Sequence, residues 1–164
     1  MMTLWPTSTI PGEVEGGSDG PTCSSGTGRD AWVPVQPDGL VPPIGPLILI
    51  VENDRDTLEM LEEFFHLSGF RTLATDRGHE ALQQARRWRP DVILTDTELP
   101  DLDGFRLSQC LHHMQQTREI PIIALTSYRH PALEDRARQA GIHALLRKAC
   151  TLDAILMATR IALP

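Results

Sequence analysis

Asp96 closes a short apolar stretch, Val92-Ile93-Leu94-Thr95, and precedes Leu99-Pro100-Asp101-Leu102-Asp103-Gly104. Strand interiors disfavour Asp, and a carboxylate taken out of water is costly unless it is paired or bound to metal. Placed there, it is a poor structural choice and a good chemical one. A carboxylate can act as a nucleophile toward phosphorus and form an aspartyl phosphate. Other apolar stretches end on residues suited to assist. Leu47–Val51 delivers Glu52, Asn53 and Asp54, Ile122–Leu125 delivers Thr126 and Ser127, and Ala144–Leu146 delivers Arg147 and Lys148. Acidic oxygens with a carbonyl make a hard site suited to Mg²⁺. A hydroxyl and an ammonium can neutralise a transferring phosphoryl group. Lys148 is the sole lysine of the chain.

Those residues converge only if the stretches are neighbouring strands. Leu47-Ile48-Leu49-Ile50-Val51 is an unbroken aliphatic run, as a strand covered on both faces requires. A helix is predicted over about 56–68, with Leu58, Leu61, Phe64 and Phe65 on one stripe and Gly69 after it. Phe70–Thr75 reads as a second strand. Residues 78–88 form a helix bearing Ala81, Leu82, Ala85 and Trp88, stopped by Pro90. Strand three is Val92–Thr95, followed by a helix over 104–115. Strand four is Ile122–Leu125. Leu133, Ala137 and Ala140 mark a helix that Gly141 ends. Strand five is Ala144–Leu146, and Thr151 caps a last helix. Strict alternation of strand and helix predicts a parallel sheet, helices on both faces and right-handed crossovers. In such a sheet the site lies outside the carboxyl ends of the strands.

The chain has 164 residues, a length that suits one domain. Residues 1–45 are rich in Gly, Pro, Ser and Thr and hold no sustained period; they read as a disordered or loosely packed tail, with the folded domain over 46–164. No apolar run approaches the ~20 residues of a spanning helix, and Met1–Thr9 shows no secretory signal. The net charge of −7 argues against direct nucleic-acid binding. Cys23, Cys110 and Cys150 are odd in number and widely spaced, as reduced thiols of a cytoplasmic protein would be. Cys110 is expected in the core or half-buried. His112 and His113 are expected to be exposed, and Arg86-Arg87-Trp88-Arg89 to be a solvated helix end.

Four ordered motifs carry a family resemblance. They are Leu47-Ile-Leu-Ile-Val-Glu52; Pro90-Asp91-Val-Ile-Leu-Thr-Asp96 with Leu99-Pro100-Asp101-Leu102-Asp103-Gly104; Pro121-Ile-Ile-Ala-Leu-Thr126-Ser127; and Ala140-Gly141 leading to Lys148. Residues 47–161 resemble the receiver domain of two-component response regulators. The resemblance implies a flavodoxin-like α/β fold with five parallel strands in the order 2-1-3-4-5. It implies that Asp96 is the phosphoacceptor, Thr126 the switch hydroxyl and Lys148 the phosphoryl contact. Mg²⁺ would be held by Glu52, Asn53, Asp96 and the backbone carbonyl of Glu98, with Asp54 a further candidate if the loop shifts. The phosphoryl donor would be a phosphohistidine on a sensor kinase or a histidine phosphotransfer protein. The receiver would catalyse its own phosphorylation and dephosphorylation.

The chain departs from the family pattern at three places. Asn53 stands where the second acid is usual, so metal affinity should fall. Ala149 replaces the proline after the lysine. Leu145 occupies the aromatic switch position. Tyr128 and Glu98 fall two residues after Thr126 and Asp96, positions that tune dephosphorylation in this family. The expected working surface is the fourth helix, fifth strand and fifth helix, including Arg136, Arg138, Leu145 and Ala149; it would serve a downstream protein partner, with a second copy of the chain as a further candidate. The competing expectations are a degenerate receiver that acts as a phosphorylation-independent interaction module, and a receiver fragment of a larger regulator.

Overall fold

The computed structural model describes the backbone of residues 3–4 and the chain from 45 to 163. The elements, in chain order, are β1 (Thr3–Leu4), β2 (Leu47–Val51), α1 (Arg55–Leu67), β3 (Arg71–Thr75), α2 (Gly78–Trp88), β4 (Val92–Asp96), α3 (Gly104–His113), β5 (Ile122–Thr126), α4 (Ala132–Gln139), β6 (Ala144–Arg147) and α5 (Leu152–Ala162). The sheet runs β1-β6-β5-β4-β2-β3. Strands β2 to β6 are mutually parallel, and counted alone they follow the expected 2-1-3-4-5 order. The element boundaries fall within a residue or two of those predicted.

One strand was not expected. Thr3–Leu4, inside the segment read as a tail, pairs antiparallel with β6 in the register Thr3↔Leu145 and Leu4↔Ala144. The rest of the predicted tail up to residue 44, including Cys23, lies outside the described residues.

Each face of the sheet carries its own core, because aliphatic strands present alternate side chains to opposite sides. Leu49, Val51, Ile93, Ile122 and Ala124 pack with α2, α3 and α4 through Ala81, Ala85, Phe105, Leu107, Leu111 and Ala137. Ile48, Ile50, Val92, Leu94, Ile123 and Leu125 pack with α1 and α5 through Leu61, Phe65, Ile155 and Ala158. The strand ends are fixed by local bonds. Asp91 Oδ2 accepts from the Leu47 N–H at 2.8 Å, which accounts for an acid just before β4.

Caps begin the helices that flank the site. Asp103 Oδ1 accepts from the N–H groups of Phe105 and Arg106, both at 3.0 Å, and starts α3. Asp101, on the same loop, starts a different helix: its carboxylate accepts from the N–H groups of Gly78 and His79 at the head of α2. The His79 ring adds a contact of 2.8 Å. Burial alone would raise the Asp101 pKa, but these donors outweigh it and hold the carboxyl well below the usual range.

Two expectations about side chains are corrected. Cys110 is exposed, because it lies on the outer side of α3 while Leu107, Ser108 and Leu111 face inward. His112 is half-buried, with ring nitrogens 2.9 Å from the Arg118 carbonyl and 2.8 Å from the Gly141 carbonyl, so it joins α3 to the turn after α4. His113 is exposed as expected. At the end of α2 the Arg87 guanidinium lies over the Trp88 ring at 4.7 Å, and Arg89 takes a left-handed conformation with φ 46°.

Candidate functional site

Parallel register brings four strand ends to one rim. Glu52 leaves β2, Asp96 ends β4, Thr126 ends β5, and Lys148 follows β6. The Lys148 ammonium donates to Asp96 Oδ2 at 2.7 Å and to Glu52 Oε1 at 2.9 Å. Both acid side chains are 1% exposed, while that of Lys148 is 27% exposed. Two carboxylates so enclosed repel each other, and the ammonium between them offsets that repulsion.

Directions of ionisation follow from this packing. Burial pushes the Glu52 carboxyl up; the Lys148 hydrogen bond opposes it and the charge of Asp96 reinforces it. Burial alone would lower the Lys148 pKa, but its bonds to Asp96 and Glu52 outweigh that and raise it, so the lysine is held charged.

Backbone contacts complete the frame. Asp96 Oδ1 accepts from the Glu98 N–H at 3.0 Å. Glu52 Oε1 accepts from the Asp54 N–H at 3.2 Å, and the Glu52 N–H donates to the Thr75 carbonyl at 3.1 Å. The end of β3 therefore anchors the backbone of Glu52. Thr126 is buried; its Oγ1 accepts from the Tyr128 N–H at 3.2 Å, and its carbonyl accepts from the Lys148 N–H at 3.0 Å. Beside it, the Glu98 carboxylate pushes the exposed Tyr128 phenol pKa up.

The backbone under Asp96 is tightly enclosed. A Cβ on Gly104 would stand 2.3 Å from the Asp96 carbonyl oxygen and 3.0 Å from Thr97 Cα, so α3 can begin here only with glycine. The Gly104 N–H donates to the Thr97 carbonyl at 3.2 Å, and the Thr97 N–H donates to the Leu125 carbonyl at 2.9 Å. The Asp-Gly of the motif is thus a device for closing α3 onto the end of β4.

The remaining predicted residues are placed differently. Asn53 is exposed at the end of β2. Asp54 is exposed too, and its Oδ1 is taken up as the cap of α1, accepting from the Thr57 N–H at 2.9 Å and the Thr57 hydroxyl at 2.6 Å. Those bonds hold its carboxyl below the ordinary value. The peptide bonds of the described residues are trans, that between Lys148 and Ala149 included. Leu145 is half-buried and Ala149 exposed. Arg136 lies over the Phe105 ring at 4.2 Å and approaches Asp103 Oδ1 at 3.3 Å, which draws α4 onto the head of α3.

A divalent cation needs anionic oxygens free to face it. Glu52 Oε2 is buried and has no partner, the kind of orphaned anionic oxygen that a hard cation satisfies. Among the described residues no group of three or more His, Cys, Asp or Glu side chains is placed to hold a metal. A cation at this rim would therefore meet two carboxylates, those of Glu52 and Asp96, and would need neutral oxygens besides.

A sequence model described as the response regulator receiver domain matches residues 48–160. The chain belongs to the response regulator receiver domain family. It is 36% identical over 101 residues to the polar-differentiation response regulator DivK of Brucella anthropi, covering 62% of this chain and 82% of that protein. The receiver domain of the sensor histidine kinase PA1611 from Pseudomonas aeruginosa, solved with magnesium coordinated in its active-site cleft, is 30% identical with a TM-score of 0.65, covering 71% of this chain and 96% of that one. A receiver domain of a histidine kinase from Syntrophus aciditrophicus is 28% identical with a TM-score of 0.66, covering 72% of this chain and 90% of that one. This receiver domain therefore shares its fold with proteins of two-component signalling. Among its described residues no helix is long and apolar enough to cross a membrane.

Proposed function

We propose that this receiver accepts a phosphoryl group on Asp96 from a phosphohistidine of a sensor kinase or histidine phosphotransfer protein, and signals by protein contact in the cytoplasm. One observation carries the reading: Lys148 spans Asp96 Oδ2 and Glu52 Oε1, while Glu52 Oε2 remains buried and unpartnered. A merely structural ion pair would satisfy both oxygens of so buried an acid. In the transfer, an Asp96 oxygen bonds to phosphorus as the phosphorus–nitrogen bond breaks, and the histidine nitrogen leaves with that electron pair. Asp96 Oδ1 is oriented by the Glu98 N–H. Lys148 is already charged beside Oδ2, where phosphoryl charge would arrive. Thr126, next in the rim, has a hydroxyl proton to donate. Glu52, Asp96, the Glu98 carbonyl and the Asn53 amide would hold Mg²⁺, which would supply positive charge to neutralise phosphoryl oxygens. Asp54, spent as a helix cap, is left out of this set.

Incubation with Mg²⁺ and acetyl phosphate, followed by intact mass measurement, tests this. One added phosphoryl group in the unaltered chain, lost in Asp96→Asn, is the expected result. No adduct, together with no Mg²⁺ binding at millimolar concentration, would sink the proposal. That second result favours the other reading, a receiver used as an interaction module without phosphorylation, for which the exposed Asn53 amide in place of an acid is the specific observation. The folded unit proposed is 46–164, with β1 added to its edge from the preceding segment.

A further inference from the structure

The last parallel strand, β6, would be an open edge were it not for β1. Its backbone polarity can be read from neighbouring bonds. The His143 N–H donates to the Ile122 carbonyl at 2.7 Å, toward β5. Alternate residues of a strand point their backbone groups to opposite sides. Leu145 therefore faces β5 as His143 does, and Ala144 turns its N–H and C=O outward. Leu4 stands opposite Ala144. It is consequently the Leu4–Ala144 pair that exchanges N–H···O=C bonds, and Thr3–Leu145 that does not.

An outward row of unpaired backbone groups is a template for any extended chain. Here the template lies on the strand that also carries Leu145 and leads, one residue beyond Arg147, to Lys148. We infer that Thr3–Leu4 is an intramolecular cap that closes the β6 edge to extended segments of other chains. The occupant is this chain's own backbone, seated in a defined register. Among the described residues a single hydrogen-bonded pair holds it. The inference depends on backbone pairing alone and stands whether or not Asp96 accepts a phosphoryl group.

Residue-resolved amide hydrogen exchange on the full chain tests it. The Ala144 amide should exchange about fivefold faster in Leu4→Pro than in the unaltered chain, since proline removes the Leu4 N–H that donates to the Ala144 carbonyl and so loosens the pair whose other bond, to the Leu4 carbonyl, protects that amide. Leu4→Val keeps the donor and should keep the protection. The Leu145 amide, bonded toward β5, should be unchanged in both. Equal exchange at Ala144 in Leu4→Pro and the unaltered chain overturns the inference. So does an equal rise at Leu145, which would mean that β6 as a whole had loosened.

Discussion

Replacing Lys148 with Met keeps the length of the side chain and removes the charge that Glu52 and Asp96 share. The two acids, each 1% exposed at the side chain, are then left enclosed beside each other. Breaking a fully buried pair costs about 3–5 kcal/mol, and an exposed pair about 0–1. Lys148 is 27% exposed, so its end of each pair is partly screened. The expected loss is about 2–3 kcal/mol at pH 7. With a urea slope of about 1.5 kcal/mol/M, the midpoint should fall by about 1.5 M. The sign with pH is determined. Without the ammonium the Glu52 carboxyl, already pushed up by burial, loses the bond that opposed that rise, so the folded state binds more protons than the unfolded chain and the deficit shrinks as pH falls toward 5. Asp96→Asn in the same background removes one of the two charges and should recover most of the loss. Urea unfolding of the single and double variants at two pH values measures all of this. A midpoint loss under about 0.5 M, or a double variant no more stable than Lys148→Met, refutes the reasoning.

Other substitutions probe the frame around the site. Arg89→Gly relieves the left-handed backbone at the end of α2 and should stabilise the fold by about 1 kcal/mol, seen as a higher Tm. Gly104→Ala drives a methyl group into the Asp96 carbonyl and should cost about 2–3 kcal/mol by urea unfolding, with any phosphoryl uptake lost alongside. Asp101 has a depressed folded pKa, so its contribution is full above the unfolded value of 3.8 and is lost as pH falls below it. Asp101→Asn should therefore flatten the acid limb of a Tm-against-pH curve, and an unaltered limb would count against the cap of α2.

Strands β2, β4 and β5 were legible because each is an aliphatic run preceded by a Pro or an acid, and burial on both faces demands that composition. Asp96, Thr126 and Lys148 were legible because each is a polar residue at the end of such a run. What the sequence concealed depends on partners far along the chain. Asp54 is an acid beside an acid, and only the cap of α1 shows that its oxygen is spent. Cys110 and His112 are two residues apart on one helix, and a small shift in where α3 faces decides which of them is wet. Thr3–Leu4 is too short to carry a period, and its pairing is made of backbone groups that no side-chain pattern reports. The Asp101 cap of α2 spans over twenty residues of sequence, and nothing local to either end announces it.

The glycine at the head of α3 also decides how news of events at Asp96 can travel. The Asp96 carbonyl lies against Gly104, the next residue is bonded to both α3 and β5, and neither neighbour has room to yield. The main chain of Asp96 is therefore a fixed bench rather than a lever. The carboxylate touches the Glu98 N–H on its own loop and the Lys148 ammonium, and Lys148 is the contact that reaches a different strand. The Asp96 carboxylate is thereby tied directly to the loop that follows β6.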